Sequence, residues 1–200
     1  MAKHVDYYVS LNSPWTYLGS RRFDAMVAKA GASVTIWPVD FGSVFAVSGG
    51  LPLPKRAPQR QAYRMMELKR WRDRLGLELT LQPRYFPADE STAAHCVIAL
   101  RESGRMADAI KFAHAVLTAL WAEERNTGDV EVLKTLMSGL GLDPQAVLTA
   151  SVDPAIATKR AAYTQHAISQ GVFGAPSYVI DGEIFWGQDR LDFVEAKLGA

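Results

Sequence analysis

Residues 6–18 read DYYVSLNSPWTYL, and this stretch decides the fold. Val5 to Val9 is rich in valine and tyrosine and predicts a short β-strand. The pair Ser13-Pro14 then predicts the start of a helix, because serine is a preferred N-cap residue and proline fits the first helical position. A second strand is predicted at Ser33 to Phe41, so residues 5–41 should form a β-α-β unit with parallel strands and a right-handed crossover.

The composition is that of an ordinary globular chain. It has 200 residues, 48% of them hydrophobic and 22% charged, with a formal net charge of +1. So small a net charge argues against bulk attraction to nucleic acid or a membrane surface. The single cysteine, Cys96, excludes an intrachain disulfide and fits a reducing compartment. Neither a secretory signal nor an apolar run of about 20 residues is seen, so we expect a soluble cytoplasmic protein.

The middle of the chain predicts one helix after another, from Gln59 to about Gln170. Two Asp-Pro pairs, at residues 143–144 and 153–154, are typical of an N-cap followed by a first helical turn. The preceding segment, Gly42 to Pro58, contains GGLPLP at residues 49–54 and predicts a loop without a regular element.

The carboxyl-terminal part returns to strands. Two β-prone runs, Ser177 to Ile180 and Glu183 to Trp186, flank Asp181-Gly182, which predicts a two-residue hairpin, and a last helix is predicted from Asp189 to Leu198. The order β-α-β, helical block, β-β-α predicts an α/β protein with a thioredoxin-like fold. Residues 1–58 and 171–200 would form the thioredoxin-like domain, and residues 59–170 a large all-helical insertion. The two β-containing ends must share one sheet, since neither alone covers its apolar faces.

The first strand-to-helix junction lacks the chemistry that thioredoxin-like redox proteins carry there. Those proteins have Cys-x-x-Cys, whereas this chain has Ser13 and Thr16 at the two cysteine positions. A hydroxyl cannot form a disulfide, so dithiol redox chemistry is excluded at this junction. Ser13 can be a simple N-cap, or it can donate a hydrogen bond to the thiolate of a bound thiol, whose pKa the helix end would lower. No base stands at a telling spacing, so we do not expect Ser13 to be a nucleophile.

Two further segments are candidates for the same site. By its position before a strand, Ala175-Pro176 is expected to contain a cis peptide, and Ala175 would then offer its main-chain groups to a peptide ligand such as glutathione. The alternative is a strand-entry proline without function. In the segment 186–189, Asp189 either caps the last helix or helps to receive the γ-glutamyl end of glutathione.

A basic segment and an aromatic pair complete the candidates. Residues 55–74 contain eight lysines and arginines against two acidic residues, which is either a solvated helix face or a field that attracts an anionic substrate. Tyr85 and Phe86 either line a substrate pocket or staple the next helix. The histidines have no ligand-type spacing, so no metal site is expected.

Three stretches, residues 6–18, 171–176 and 181–190, together resemble the 2-hydroxychromene-2-carboxylate isomerases, which belong with the kappa-class glutathione transferases and the DsbA-like proteins. The resemblance spans nearly the full chain, and its last stretch, DGEIFWGQDR, is specific. One departure concerns the loop after the second strand. Family members often have an asparagine there, and residues 50–54, GLPLP, contain none.

The resemblance implies the composition of the site. Glutathione would be the cofactor and a small aromatic acid the substrate. Ser13 would contact the glutathione sulfur, and Ala175 would bind the main chain of the tripeptide. The γ-glutamyl end would be held by Trp186, Gly187, Gln188 and Asp189, and the substrate would lie by Tyr85 or Phe86.

The resemblance also implies the activity. The chain would be a glutathione-dependent isomerase that interconverts 2-hydroxychromene-2-carboxylate and trans-o-hydroxybenzylidenepyruvate by reversible thiol addition. A kappa-like glutathione transferase or peroxidase, which consumes glutathione, and a non-catalytic thioredoxin-like binding protein remain alternatives. The aromatic-rich insertion makes a homodimer the expected assembly.

Overall fold

The sheet is formed by strands from both ends of the chain. The computed structural model describes residues 3–199. Its strands are β1 (His4–Val9), β2 (Ser33–Pro38), β3 (Ser177–Ile180) and β4 (Glu183–Trp186), in the order β2-β1-β3-β4. β1 is parallel to β2, and β3 is antiparallel to both of its neighbours. The predicted thioredoxin-like arrangement is therefore confirmed.

Most of the described chain is helical. The helices are α1 (Pro14–Ala30), α2 (Phe41–Ser48), α3 (Pro58–Leu75), α4 (Ser91–Glu102), α5 (Met106–Trp121), α6 (Val130–Gly139), α7 (Pro144–Ser151), α8 (Pro154–Ser169) and α9 (Leu191–Leu198). Helices α3 to α8 lie between α2 and β3, as a helical insertion requires, although the exact limits of that insertion remain a prediction. No helix within residues 3–199 is long and apolar enough to cross a membrane.

The prediction of a loop over residues 42–58 was wrong, because α2 occupies its first part. Asp40 caps this helix, its carboxylate accepting a hydrogen bond of 2.8 Å from the N–H of Gly42. Val44 is fully buried, and Gly49 ends the helix in the left-handed conformation. The Gly- and Pro-rich composition begins only at Gly49, so judging the segment as a whole concealed the helix.

The last helix also starts later than predicted. Residues Gln188–Arg190 form a 3-10 turn, and α9 begins at Leu191. The hairpin before them is as predicted, since Asp181 and Gly182 have φ angles of 53° and 79°, the left-handed pair that a type I′ turn requires.

Both faces of the sheet are covered by helices. On one face the rings of Tyr7 and Tyr178 stack at 5.2 Å and pack against Phe23 of α1. On the other face Tyr8 and Val179 belong to a buried cluster with residues of α2 and α8. Burying a large apolar side chain contributes roughly 1.5–3 kcal/mol, so these clusters hold the sheet and the helices together.

A third cluster lies beside the amino-terminal half of α1. Its buried members come from α1, α3 and α5 and the segment after α3, namely Tyr17, Leu18, Leu68, Leu79, Leu117, Leu120 and Trp121. Trp15, Met65 and Phe86 pack against it. This cluster joins the inserted helices to the helix end at which the candidate site lies.

Candidate functional site

Ser13 uses its hydroxyl in two directions at once. As the N-cap of α1, its Oγ accepts a hydrogen bond of 3.2 Å from the N–H of Thr16. The same hydroxyl donates a hydrogen bond, also of 3.2 Å, to the carbonyl oxygen of Ala175. A serine hydroxyl has one donor and two acceptor positions, so the cap leaves the proton free to be redirected. The cap and donor roles that the sequence left open are therefore compatible.

The first turn of α1 also leaves a backbone donor unused. Pro14 has no N–H, and the N–H of Tyr17 is bonded to the Ser13 carbonyl oxygen at 3.1 Å. Within residues 3–199 the N–H of Trp15 has no hydrogen-bond partner. An anion beside this turn would therefore find the Ser13 hydroxyl, the Trp15 N–H and the positive end of the helix dipole.

The loop before β3 connects the three sequence motifs. The Ala175-Pro176 peptide is cis, as predicted. The carbonyl oxygen of Ala175 accepts the hydrogen bond from the Ser13 hydroxyl. The carbonyl oxygen of Pro176 accepts a hydrogen bond of 2.9 Å from the N–H of Gly187. Within the described part of the chain the Ala175 N–H has no partner. The start of α1, the cis-proline loop and the segment after β4 therefore lie together.

The residues at the end of β4 and just after it differ in their exposure to solvent. Trp186 is 51% exposed, and its ring packs against Phe173 at 4.8 Å. It also covers Gly174, where an added Cβ would lie 2.2 Å from the indole Nε1. Asp189 is exposed at the surface. Its Oδ2 lies 3.3 Å from the Nη1 of Arg190, which is also exposed. Trp186 and the Asp189 carboxylate are therefore both accessible to a ligand.

Gln188 turns the other way. The whole residue is only 1% exposed, and it packs against α1, where a Cβ added to Gly19 would lie 2.8 Å from the Gln188 Cβ. Neither polar atom of its amide group has a partner in the structure. Gly187, whose φ of 100° favours glycine, makes the turn that directs Gln188 inward. Of the four candidate residues in this segment, Gln188 is therefore the one whose side chain is turned away from an external ligand.

Asn12 has a role that the sequence analysis missed. Its Nδ2 donates to the carbonyl oxygen of Ala88 at 2.8 Å, and its Oδ1 accepts from the N–H of Ala88 at 3.0 Å. This two-way contact fastens the segment after Phe86 to the amino end of α1. No local pattern could have indicated it, because the two residues are 76 positions apart.

Glu90 is a largely buried carboxylate close to the same junction. Its Oε2 accepts hydrogen bonds from the Ser10 hydroxyl at 2.8 Å and from the Asn12 N–H at 3.0 Å. Its Oε1 is 3.4 Å from the Arg160 guanidinium. Burial raises the pKa of Glu90, while these donors and the nearby cation act in the opposite direction. The carboxylate thus connects α8 to the strand that leads into Ser13.

The aromatic pair is divided between two environments. Phe86 packs against Trp121 at 4.8 Å and lines a cavity of about 380 Å³. Tyr85 is partly buried, is not part of that lining, and has the Arg84 guanidinium 5.4 Å from its ring centroid. The cavity walls are Leu53, Gln61, Ala62, Arg64, Met65, Leu81, Gln82, Pro83 and Phe86. Of the pair, Phe86 is therefore the residue placed to contact a ligand in this cavity.

The remaining titratable candidates lie elsewhere. Cys96 is buried, and burial raises the pKa of its thiol to about 11, so it is inert at neutral pH. His114 is 3.0 Å from Asp24, and burial lowers the pKa of His95. Within residues 3–199 no group of three or more His, Cys, Asp or Glu side chains is arranged to hold a metal ion.

Comparison with known proteins gives the family. The family model of the DSBA-like thioredoxin domain matches residues 4–199. The 2-hydroxychromene-2-carboxylate isomerase of Sphingobium xenophagum is 30% identical over 200 residues, 99% of each chain. A solved structure of a 2-hydroxychromene-2-carboxylate isomerase superposes with a TM-score of 0.82 at 26% identity, covering 98% of this chain and 94% of that one.

A more distant structure extends the comparison. The cytosolic disulfide reductase DsbM from Pseudomonas aeruginosa, solved with GSH, has a TM-score of 0.67 at 18% identity, covering 98% of this chain and 100% of the other. That likeness concerns the fold alone. Taken with the full-length similarity to the isomerase of Sphingobium xenophagum, the match over residues 4–199 shows that this chain belongs to the DSBA-like thioredoxin-domain family and groups there with the 2-hydroxychromene-2-carboxylate isomerases.

Proposed function

We propose that this chain is a glutathione-dependent isomerase that interconverts 2-hydroxychromene-2-carboxylate and trans-o-hydroxybenzylidenepyruvate, or a closely related pair of aromatic acids. The observation that carries the proposal is the Ser13 hydroxyl, which caps α1 and points its proton at the cis-proline loop. The relatives with full-length similarity bear the name of that activity. The one cysteine of the chain is buried, so the sulfur must come from a bound thiol.

The residues around Ser13 fit glutathione. A peptide ligand needs a free main-chain edge, and Ala175 has an unpaired N–H and a carbonyl oxygen bonded only by a side chain within the described residues. The exposed Asp189 carboxylate suits the ammonium group of a γ-glutamyl residue. Bound glutathione would supply a thiolate, which is a good nucleophile and also a good leaving group for reversible addition to a conjugated acid.

The chain itself would hold and tune that thiol. The Ser13 hydroxyl can turn its proton from the Ala175 carbonyl oxygen to a sulfur anion while its lone pair keeps the cap on α1. The Trp15 N–H and the helix dipole act on the same anion. Each unit by which the site lowers a thiol pKa corresponds to about 1.4 kcal/mol in favour of the thiolate. Because serine cannot form a disulfide, the site would release the thiol unchanged.

The substrate side is the cavity beside Phe86, where apolar and aromatic walls suit a planar ring. We place the aromatic acid there, with Phe86 in contact with it and Tyr85 outside. A homodimer and a cytoplasmic location stay predictions of the sequence.

The test is an isomerisation assay followed by ultraviolet absorbance, with and without glutathione. We expect turnover only when glutathione is present and an unchanged amount of glutathione at the end. S-methylglutathione, which keeps the peptide but has no thiol, should not support turnover. Stoichiometric consumption of glutathione would favour a kappa-like transferase or peroxidase instead. No turnover under any of these conditions would favour a binding protein.

A further inference from the structure

Arg64 on α3 is a partly buried cation without an acidic partner. Within residues 3–199 no carboxylate lies within ion-pair distance of it, and its polar contact is from Nη1 to the Met65 Sδ at 3.9 Å. By contrast, Arg70 and Arg72 on the same helix pair with Glu67 and Asp73. An uncompensated charge removed from water is costly, so its persistence needs an explanation.

The environment of Arg64 keeps the cation while weakening its hydration. Burial, with the charge of Arg56 as a smaller cause, lowers the pKa of Arg64 to about 10, so the guanidinium remains charged at neutral pH. Its Cζ lies 5.5 Å from the ring centroid of Phe86 and 5.8 Å from that of Trp121. The face of an aromatic ring attracts a guanidinium that lies over it. Apart from the long contact of Nη1 with the Met65 Sδ, the in-plane N–H groups, which match a carboxylate in two-point geometry, have no partner within residues 3–199.

Arg64, with N–H donors available to a ligand, lines the cavity described above. Arg64, Met65 and Phe86 all contribute to its wall, and about 380 Å³ lies within the size range of small-molecule pockets. The Asn12 contact to Ala88 holds this wall near the amino end of α1, since Phe86 is two residues, at most about 7 Å, from Ala88. The cavity wall at Phe86 is thereby tied to the segment that leads into α1, although no residue of α1 lines the cavity itself.

The neighbouring arginines are not equivalent to Arg64. The Nε of Arg56 donates to the carbonyl oxygen of Leu51 at 2.7 Å, so part of its guanidinium is already engaged. Arg60 is exposed, one turn before Arg64 on the same helix. Neither residue lines the cavity. Of the basic residues at 55–74, Arg64 is thus the one whose positive charge lies in the cavity wall.

We propose that Arg64 binds the carboxylate of a small aromatic acid whose ring lies in this cavity against Phe86. The inference rests on the proposed function, because the acid would be the substrate of that reaction. It concerns binding, however, and does not require glutathione. It makes Arg64 a specificity-determining residue, which selects an anionic ring compound over a neutral one of the same shape.

The experiment compares two probes that differ only in charge, trans-cinnamate and its neutral amide, by calorimetric titration of the full chain without glutathione. We expect the wild type to bind the acid at least about tenfold more tightly than the amide. Arg64→Gln should bring the two affinities to within about threefold. The matched control, Arg60→Gln, removes one exposed charge from the same helix and should keep the preference. Arg64→Lys should retain part of it.

Several outcomes would overturn the inference. These are a folded wild type that binds neither probe, a wild type without preference for the acid, and an Arg64→Gln variant that keeps the preference. If Arg64→Gln fails to fold, equal affinities for acid and amide in folded Arg64→Lys would likewise count against it. An intact preference in a protein that does not isomerise would refute the proposed function while supporting this site.

Discussion

The replacement Ser13→Ala separates a structural hydroxyl from a functional one. It removes the 3.2 Å bond that Ser13 accepts from the Thr16 N–H and the 3.2 Å bond that it donates to the Ala175 carbonyl oxygen. The helix backbone and Pro14 are untouched. A cap and a thiolate donor predict the same loss of stability for this variant but very different losses of activity.

The expected loss of stability follows from the two bonds. Replacing a serine N-cap by alanine costs about 1 kcal/mol. Ala175 is only partly buried, so water can replace the second bond, and its loss adds no more than about 1 kcal/mol. We therefore expect the free energy of unfolding to fall by about 1–2 kcal/mol. A hydrogen bond to a charged group is worth roughly 1.5–3 kcal/mol, so the rate of isomerisation should fall about 10- to 150-fold.

The assay measures kcat/KM for the aromatic acid at saturating glutathione, beside denaturant unfolding of the same preparations. Ser20→Ala is the matched control, because the Ser20 hydroxyl donates to the Tyr17 carbonyl oxygen within α1 at 2.8 Å and, unlike Ser13, makes no hydrogen bond to Ala175. It should leave kcat/KM unchanged. The donor role is refuted if Ser13→Ala loses the expected stability, binds glutathione as before and isomerises within about twofold of the wild type.

Three further changes test neighbouring parts of the site. Ser13→Cys places a thiol at the same helix end, so with oxidised glutathione its thiolate should displace one reduced glutathione and form a mixed disulfide, visible by mass spectrometry; a folded variant without the adduct would argue against a sulfur site there. Asn12→Ala removes both bonds to Ala88 and should lower the free energy of unfolding by about 1–3 kcal/mol and weaken binding of aromatic acids, whereas an unaltered protein would show that this fastening is unimportant. Because burial raises the pKa of Glu90 above 4.5, the folded state holds its proton more tightly than the unfolded chain, and stability from this group falls as pH rises through the folded pKa. The wild type should therefore gain stability relative to Glu90→Gln as the pH falls from 7 towards 5, and a pH-independent difference in unfolding free energy would contradict this.

The elements that could be predicted are those whose ends are marked by capping or turn residues nearby in the sequence. Ser13-Pro14, the Asp-Pro pair at Asp143 and the hairpin at Asp181-Gly182 each act within a few residues, so their chemistry is visible in a short window. Helix α2 was missed although Asp40 caps it, because the Gly-Pro run after Gly49 dominated the composition of the segment. Capping and turn residues therefore located most elements, but they did not separate α2 from the loop that directly follows it.

The site was predictable to the extent that it follows from topology. Ser13, Ala175 and Gly187 lie at strand ends or just beyond them, and the sheet order brings these ends to one place. The inward turn of Gln188 depends on packing against Gly19, which no motif expresses. The contacts of Asn12 with Ala88 and of Ser10 with Glu90 join residues about 80 positions apart and have no periodic signal. Only the folded chain could reveal them.

The position of Thr16 explains how a redox fold can serve a reaction without redox chemistry. In the Cys-x-x-Cys arrangement the second cysteine attacks the sulfur bound to the first. Thr16 occupies that second position, but it is fully buried, and its hydroxyl has no hydrogen-bond partner among residues 3–199 and no access to a ligand. The helix end that would stabilise a thiolate is therefore retained, while no thiol is available to resolve a disulfide: Thr16 has none, and the thiol of Cys96 is buried. Under the proposed function, a thiol bound beside Ser13 would be activated there but not oxidised by the protein, which is the behaviour a recycled cofactor requires.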